Sequence, residues 1–131
     1  MKIKSFKKCI QGLEFVPEFG GNKEEPRDQQ MSVNIVPMDN LSATKYRSLT
    51  EFSHNEKTGA LKSNAGDVSR MIFIKHVASI KNLTLVDVAS GKEVPCTCPA
   101  VLWDEGPEKL IEEIMKAIAD ASWLDEEKKL D

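Results

Sequence analysis

Residues 107–124 read PEKLIEEIMKAIADASWL and carry the most regular apolar pattern in the chain. Apolar residues recur there at steps of three and four, at Leu110, Ile111, Ile114, Met115, Ile118 and Ala121. This spacing predicts an amphipathic helix over Glu108–Ala121, with Pro107 at its first turn. Trp123 and Leu124 close the apolar stripe, and we expect residues 125–131 to form a charged, solvated end.

Period-two alternation and turn residues outside this helix indicate a sheet. The sequence predicts strands at Gly12–Val16, Met31–Val36 and Val77–Val88. A further strand at Glu93–Cys98 would pair in a hairpin with Gly91 at its bend. The polar residues 20–30 predict a loop, and residues 53–67 predict a mobile connection.

Two more helices are expected, at Leu41–Phe52 and Val68–Lys75, with a short helical turn at 99–103. Asp39 or Asn40 is expected to cap the first of them, and Asp67 the second. The predicted fold is therefore a single α+β domain over 1–131, in which about three helices pack on one side of a small, mainly antiparallel sheet. The expected core residues are Phe15, Val33, Ile35, Leu49, Ile72, Leu83, Leu85, Leu110, Ile114 and Ile118.

Composition excludes several classes of protein. The 131 residues include 18 Lys and Arg and 21 Asp and Glu, for a net charge of −3, and 40% of the chain is hydrophobic. This hydrophobic fraction argues against wholesale disorder, and the acidity argues against a nucleic-acid partner. No stretch approaches the roughly 20 apolar residues of a spanning helix, and residues 1–8 do not resemble a secretory signal. We therefore expect no membrane partner and a location in the cytoplasm.

Three cysteines, Cys9, Cys96 and Cys98, are an odd number and favour reduced thiols. An extended chain would place the Cys96 and Cys98 thiols side by side, but their spacing is too short for a structural zinc pair and no second pair occurs. Small buried or half-buried side chains are the favoured interpretation over a thiol site. The sequence predicts no bound metal and no cofactor.

No nucleotide-binding, hydrolase or metalloprotease motif occurs in the chain. His54 lies in a polar stretch, where a solvated side chain is expected, and His76 lies in an apolar stretch that favours a buried, hydrogen-bonded histidine. Adjacent acidic residues diverge on a helix and do not form a catalytic pair. These patterns predict that the protein is not an enzyme.

Residues 1–8, MKIKSFKK, form a basic segment in an acidic chain. Its lysines are typical of a solvated strand edge, where they prevent unwanted pairing. The alternative is docking onto an acidic protein surface.

Four stretches in order suggest a family. They are FVPEFGGNK at 15–23, QMSVNI at 30–35, HVASIKNL at 76–83 and WLDEEKK at 123–129. This order resembles small tail-module proteins of tailed bacteriophages, which are often described as tail-assembly chaperone-like. The ending at Lys129, Leu130 and Asp131 and the segment Cys96–Cys98 depart from that pattern.

The resemblance implies a non-enzymatic protein that binds tail-tube, tape-measure or neighbouring tail proteins, or itself as a homo-oligomer. It would act in the host cytoplasm during assembly or remain in the virion as a structural subunit. Two alternatives stay open: a head–tail connector or tail-completion protein, and a regulatory or inhibitor protein with one host partner. A partner surface needs exposed apolar residues, for which the candidates are Phe19, Trp103, Trp123 and Leu124. Each aromatic has the alternative of completing the core, which is favoured more for Trp103 than for Trp123.

Overall fold

The computed structural model describes residues 1–2, 12–50, 52–54 and 61–127, with side chains at all of them except 40, 52–54, 61–62 and 123–127. The strands in this part of the chain are β1 (Leu13–Phe15), β2 (Ser32–Ile35), β3 (Phe52–His54), β4 (Leu61–Ser63), β5 (Val77–Lys81), β6 (Thr84–Val86) and β7 (Glu93–Pro95). The α-helices are α1 (Asn40–Leu49), α2 (Ala65–His76), α3 (Pro99–Glu105) and α4 (Glu108–Glu127), and a kinked 3-10 segment spans Phe19–Glu24.

The central sheet has three antiparallel strands in the order β1-β2-β5. Phe15 of β1 lies opposite Val33 of β2, and Val33 lies opposite Ile80 of β5. The register between β2 and β5 shifts between Asn34 and Ile35, so that Ile35 pairs with Val77. Two further strand pairs, β3 with β4 and β6 with β7, are separate antiparallel ribbons.

The core lies between the central sheet and the helices α2, α3 and α4. Strand β2 contributes Val33 and Ile35, which are almost fully buried, and α4 packs against this strand. The residues that form the buried cluster are Met31, Val33, Ile35, Phe73, Val77, Ile80, Cys96, Leu102, Leu110, Ile114, Ile118 and Ala121. The small α+β fold predicted from the sequence is therefore confirmed.

The strand expected at Val77–Val88 is two strands, which belong to different sheets. Asn82 separates them with a positive φ of 56°, and its side-chain amide donates to the carbonyls of Asp28 and Gln30. After Lys81 the chain leaves the central sheet, and the left-handed conformation of Asn82 redirects it toward β6. The predicted hairpin is confirmed, with Gly91 at a positive φ of 70° in its turn, but its second strand ends at Pro95.

The helix boundaries also differ from the prediction. Helix α1 ends at Leu49, and Phe52 begins β3 instead of closing the helix. Helix α2 begins at Ala65 after Asn64, so Asp67 lies in its first turn and is not its cap. Asp39 caps α1 as predicted, because its carboxylate accepts the backbone N–H of Ser42 at 2.6 Å.

Two predicted segments contain more regular structure than the sequence indicated. Residues 53–67, the expected connection, include the end of β3, all of β4 and the start of α2. Helix α4 continues past Ala121 to Glu127, so it includes the first residues of the expected charged end. The remaining residues, 128–131, lie outside the described part of the chain.

Most predicted core residues are buried or pack against the core. Leu110, Ile114 and Ile118 have at most 4% exposure, while Phe15, Ile72, Leu83 and Leu85 are partly buried against the cluster. Leu49 is a wrong prediction, because it is 38% exposed. Helix α1 instead buries Tyr46, on the side that packs against α2.

Candidate functional site

An open apolar groove lies where α2, α3 and α4 meet, and we call it the Trp103 groove. It has a volume of about 460 Å³, within the range of known ligand pockets. Its lining consists of Ser69 from α2, Trp103 from α3, Gly106 from the α3–α4 turn, and Glu108, Ile111, Glu112 and Met115 from α4. The groove therefore combines an aromatic and aliphatic floor with two carboxylates.

A tight turn at Gly106 sets the distance between α3 and α4. The Gly106 N–H donates to the carbonyl of Leu102 at 2.7 Å. A Cβ atom at this position would lie 2.5 Å from both the Cδ1 and the carbonyl oxygen of Leu102. Because only glycine avoids this overlap, Gly106 allows α4 to begin directly beside the last turn of α3, next to Trp103.

Trp103 forms the wall of the groove and is half-buried. Its ring packs on Phe73 of α2 with a centroid distance of 5.4 Å and a tilt of 55°. Phe73 itself is completely buried, so one side of the indole is anchored to the core. The sequence left two environments open for Trp103, the core or an exposed surface. The ring has both, because one side packs on the core and another lines the groove.

An ion pair joins α2 to α3 near the groove. The Arg70 guanidinium donates from Nε and Nη2 to the two carboxylate oxygens of Asp104, each at 3.1 Å. This pairing lowers the pKa of Asp104 and raises that of Arg70. Both side chains are exposed, so the pair fixes geometry more than it stabilises the fold.

A hydrogen-bonded loop at residues 17–31 borders the other flank of α4. The Asn22 amide donates to the carbonyls of Pro17 and Met31, each at 2.9 Å, and accepts the N–H of Met31 at 2.7 Å. The backbone N–H of Glu18 donates to Glu113 of α4 at 2.9 Å. This loop presents Phe19, which is 38% exposed.

Phe19 and Trp103 do not form one surface. Glu113, which contacts the Phe19 loop, is two residues from Ile111, which lines the Trp103 groove. Two residues correspond to about 200° around an α-helix, so these contacts lie on opposite flanks of α4. Trp123 and Leu124 lie in the last turns of α4, with side chains outside the described part, so their predicted role stays a prediction.

His76 is the buried, hydrogen-bonded histidine that the sequence predicted. Its Nε2 lies 2.9 Å from the Tyr46 hydroxyl, and its Nδ1 lies 2.8 Å from the Val36 carbonyl oxygen. Since a carbonyl can only accept, Nδ1 carries the proton and Nε2 accepts from Tyr46 in the neutral ring. Burial lowers the pKa of His76 and raises that of Tyr46, so both groups are neutral at pH 7 and join α1 and α2 to the residue that follows β2.

The two cysteines near the hairpin have different environments. Cys96 is buried and its N–H donates to the Leu83 carbonyl, whereas Cys98 is exposed at the start of α3. The favoured interpretation of a small buried side chain holds for Cys96, whereas Cys98 is more exposed than predicted. Burial raises the pKa of the Cys96 thiol and makes it less reactive. Within the described ranges, no three His, Cys, Asp or Glu side chains converge as metal ligands.

Sequence analysis identified Trp103 but missed the rest of its groove. Ile111 and Met115 had been assigned to the apolar stripe of α4, and both are only partly buried. The available signal was the width of that stripe, since the pairs 110–111 and 114–115 cover more of the helix than one core face needs. Ser69 and Gly106 gave no signal, because only the folded chain brings them to α4.

The chain was compared with known proteins. No family model matches it, and neither the curated proteins nor the solved structures contain a significant match. None of the helices in the described residues combines the length and the apolar character needed to cross a membrane.

Proposed function

We propose that this chain is a non-enzymatic protein of a phage tail module, which binds other tail proteins during tail assembly as a chaperone-like factor or as a structural subunit of the virion. The observation that carries the proposal is the Trp103 groove, an apolar concavity with an exposed carboxylate rim. The order of sequence motifs that resembles tail-module proteins supplies the identity of the partners.

The chemistry of the groove suits protein binding. A half-buried tryptophan backed by a buried phenylalanine is a rigid, amphipathic anchor, and such residues carry much of the energy of protein interfaces. Ile111 and Met115 extend the apolar floor, and polar side chains surround it, as in the core and rim of an interface. A flexible methionine also lets the surface adapt to its partner.

The proposal gives the four candidate residues different roles. Trp103 is the main contact, and Phe19 is a second, separate contact on the other flank of α4. Trp123 and Leu124 remain proposed contacts at the end of that helix. For the tryptophan near the charged end, we expect Trp123→Ala to weaken partner binding by about 1–3 kcal/mol while the fold is retained.

The decisive test is co-expression with the proteins encoded by neighbouring open reading frames, followed by affinity capture. We expect capture of a tail-tube, tape-measure or other tail protein. Trp103→Ala should weaken the binding by about 1–3 kcal/mol because it removes the anchor of the groove. Phe19→Ala is the comparison variant: it removes the aromatic of the second contact, on the opposite flank of α4, and should weaken the binding less than Trp103→Ala does.

Stability must be measured beside affinity, because Trp103 also packs on Phe73. Chemical denaturation of Trp103→Ala will show whether the variant is folded at the assay temperature. Capture of a tail protein that depends on Phe19 and not on Trp103 would contradict the assignment of the groove. Capture of a single host protein and of no tail protein would contradict the tail function and favour a regulatory protein.

Mass spectrometry of purified particles distinguishes the forms of the proposal. A chaperone-like factor binds its client during assembly and is absent or rare in finished particles. A structural subunit, including a connector or completion protein, is present at a fixed ring stoichiometry.

A further inference from the structure

The charge of the Trp103 groove indicates the chemistry of its occupant. Of the described side chains that line it, two are carboxylates, Glu108 and Glu112, and none is basic. Both carboxylates are exposed, and neither takes part in the ion pairs found among the described residues. Asp104, nearby on α3, is already neutralised by Arg70. The matching ligand is therefore a segment with apolar side chains for the floor and basic side chains for the rim.

This chain contains such a segment in residues 1–8, MKIKSFKK. It has lysines at 2, 4, 7 and 8 and apolar residues at 1, 3 and 6, in a chain whose net charge is −3. The segment has the positive charge that the lining of the groove lacks. It also has apolar side chains that the apolar floor of the groove can cover. Met1 is fully exposed to solvent and Lys2 is exposed, so these two residues do not fill the groove of their own molecule.

We propose that residues 1–8 of one copy bind in the Trp103 groove of a second copy. The apolar side chains of the segment contact Trp103 and Met115, and its lysines lie near Glu108 and Glu112. The inference rests on the proposed function, in which the groove is a contact between proteins, and it names the neighbouring subunit as the same chain. Reciprocal exchange of the segment between two copies closes a two-fold dimer, and one-way exchange produces a ring or a filament.

Charge reversal in the full-length chain tests this contact. One variant reverses the rim, E108K with E112K, and another reverses the segment, K2E with K4E, K7E and K8E. We expect the wild type to self-associate in analytical ultracentrifugation, more weakly as salt increases. Either variant alone should raise the dissociation constant by more than about tenfold, because like charges then face each other.

Restoration of the complementary charges provides the strongest evidence. An equimolar mixture of the two variants should associate, since each then offers the other a complementary contact. A chain that carries both sets of reversals should also associate with itself. E24K with E25K is the matched control: it makes the same change in net charge as the rim variant, on exposed residues of the 17–31 loop, and should associate like the wild type.

Several results would overturn the inference. They are a monomeric wild type at all accessible concentrations, a loss of association in E24K with E25K equal to that in the rim variant, and no association in the mixture. A wild type that stays monomeric but captures a tail protein through Trp103 would contradict this inference and leave the proposed function intact. Self-association through the groove without capture of any tail protein would support this inference and contradict the tail function.

Discussion

The two flanks of helix α4 differ in how they are covered. On one flank, the 17–31 loop is fastened by the Asn22 amide and by the bond from Glu18 to Glu113. On the other flank, Ile111 and Met115 stay partly exposed beside Trp103, and the space between the helices is open. The first flank is closed by polar bonds within the chain, and the second leaves apolar surface for another molecule.

The difference between the two flanks indicates which of them offers a binding surface. Hydrogen bonds that are satisfied internally have little to gain from a partner, whereas exposed apolar surface is removed from water when a partner covers it, which favours binding. The motif that suggested a family, FVPEFGGNK, lies mostly in the closed flank. Its glycines at 20 and 21 have positive φ angles of 63° and 73°, and its asparagine supplies the loop bonds, so much of this motif is structural.

The largest expected effect comes from the face of α4 between its two flanks. Ile114 is completely buried, so Ile114→Ala should lower the free energy of unfolding by about 2–5 kcal/mol, through lost apolar contact and the cavity that remains. Met115→Ala, one residue further and open to the groove, is the control and should cost clearly less. Urea denaturation of both variants measures the difference, and equal losses would show that the groove flank is as closed as the core.

A smaller effect is expected from the closed flank. Asn22→Ala removes three hydrogen bonds to Pro17 and Met31 and should lower the free energy of unfolding by about 1–3 kcal/mol. Gln30→Ala, which removes two longer and more exposed bonds to the carbonyls of Lys23 and Glu25, is the matched control and should cost less. Binding at the Trp103 groove should be unchanged in both variants; if Asn22→Ala also abolished binding, the two flanks would not be independent.

The smallest expected effect at neutral pH is that of His76, whose hydrogen bonds to Tyr46 and Val36 form a third polar contact within the chain. Its pKa in the folded chain is lowered from 6.5 by burial, so the unfolded chain takes up the proton more readily below that value. The stability contributed by neutral His76 is therefore complete above pH 6.5 and decreases as the pH falls toward the folded pKa.

Denaturation of the wild type and of His76→Gln between about pH 7.5 and about pH 5.5 measures this contribution, because most carboxylates titrate below that range. We expect the wild type to lose more stability than the variant as the pH decreases. An equal pH dependence in the two proteins would show that His76 does not titrate differently in the folded and unfolded chains.

Elements with a local signal were predicted well from the sequence. The 3.6-residue period of 108–121, the alternation at 31–35 and the glycine of the hairpin turn each correspond to an observed element. The prediction of one long strand at Val77–Val88 was wrong because Asn82 adopts a left-handed conformation. That conformation is held by hydrogen bonds to residues 28 and 30, which are distant in sequence. The core position predicted at Leu49 of α1 was wrong, because α1 packs against α2 with Tyr46 in the inner position.

The candidate site was predicted only in part, for a related reason. Trp103 was chosen because an exposed aromatic suits an interface, and it does line the groove. Its neighbours come from α2, from α4 and from the turn between α3 and α4, and Ser69 and Met115 are 34 and 12 residues away from it in sequence. A periodic pattern within one element does not predict which residues of other elements will lie beside it.

The sequence by itself determined the class of the fold, the buried stripe of α4, the buried state of His76 and the acidic character of the chain. These properties follow from local periodicity and composition, because burial of apolar side chains at the period of a helix or strand stabilises only one arrangement. The tertiary structure decided that Phe19 and Trp103 lie on opposite flanks of one helix, and that the carboxylates of Glu108 and Glu112 lie beside the half-buried tryptophan. Those properties depend on the close approach at Gly106 and on the packing of α2 against α3, which only the folded chain brings about.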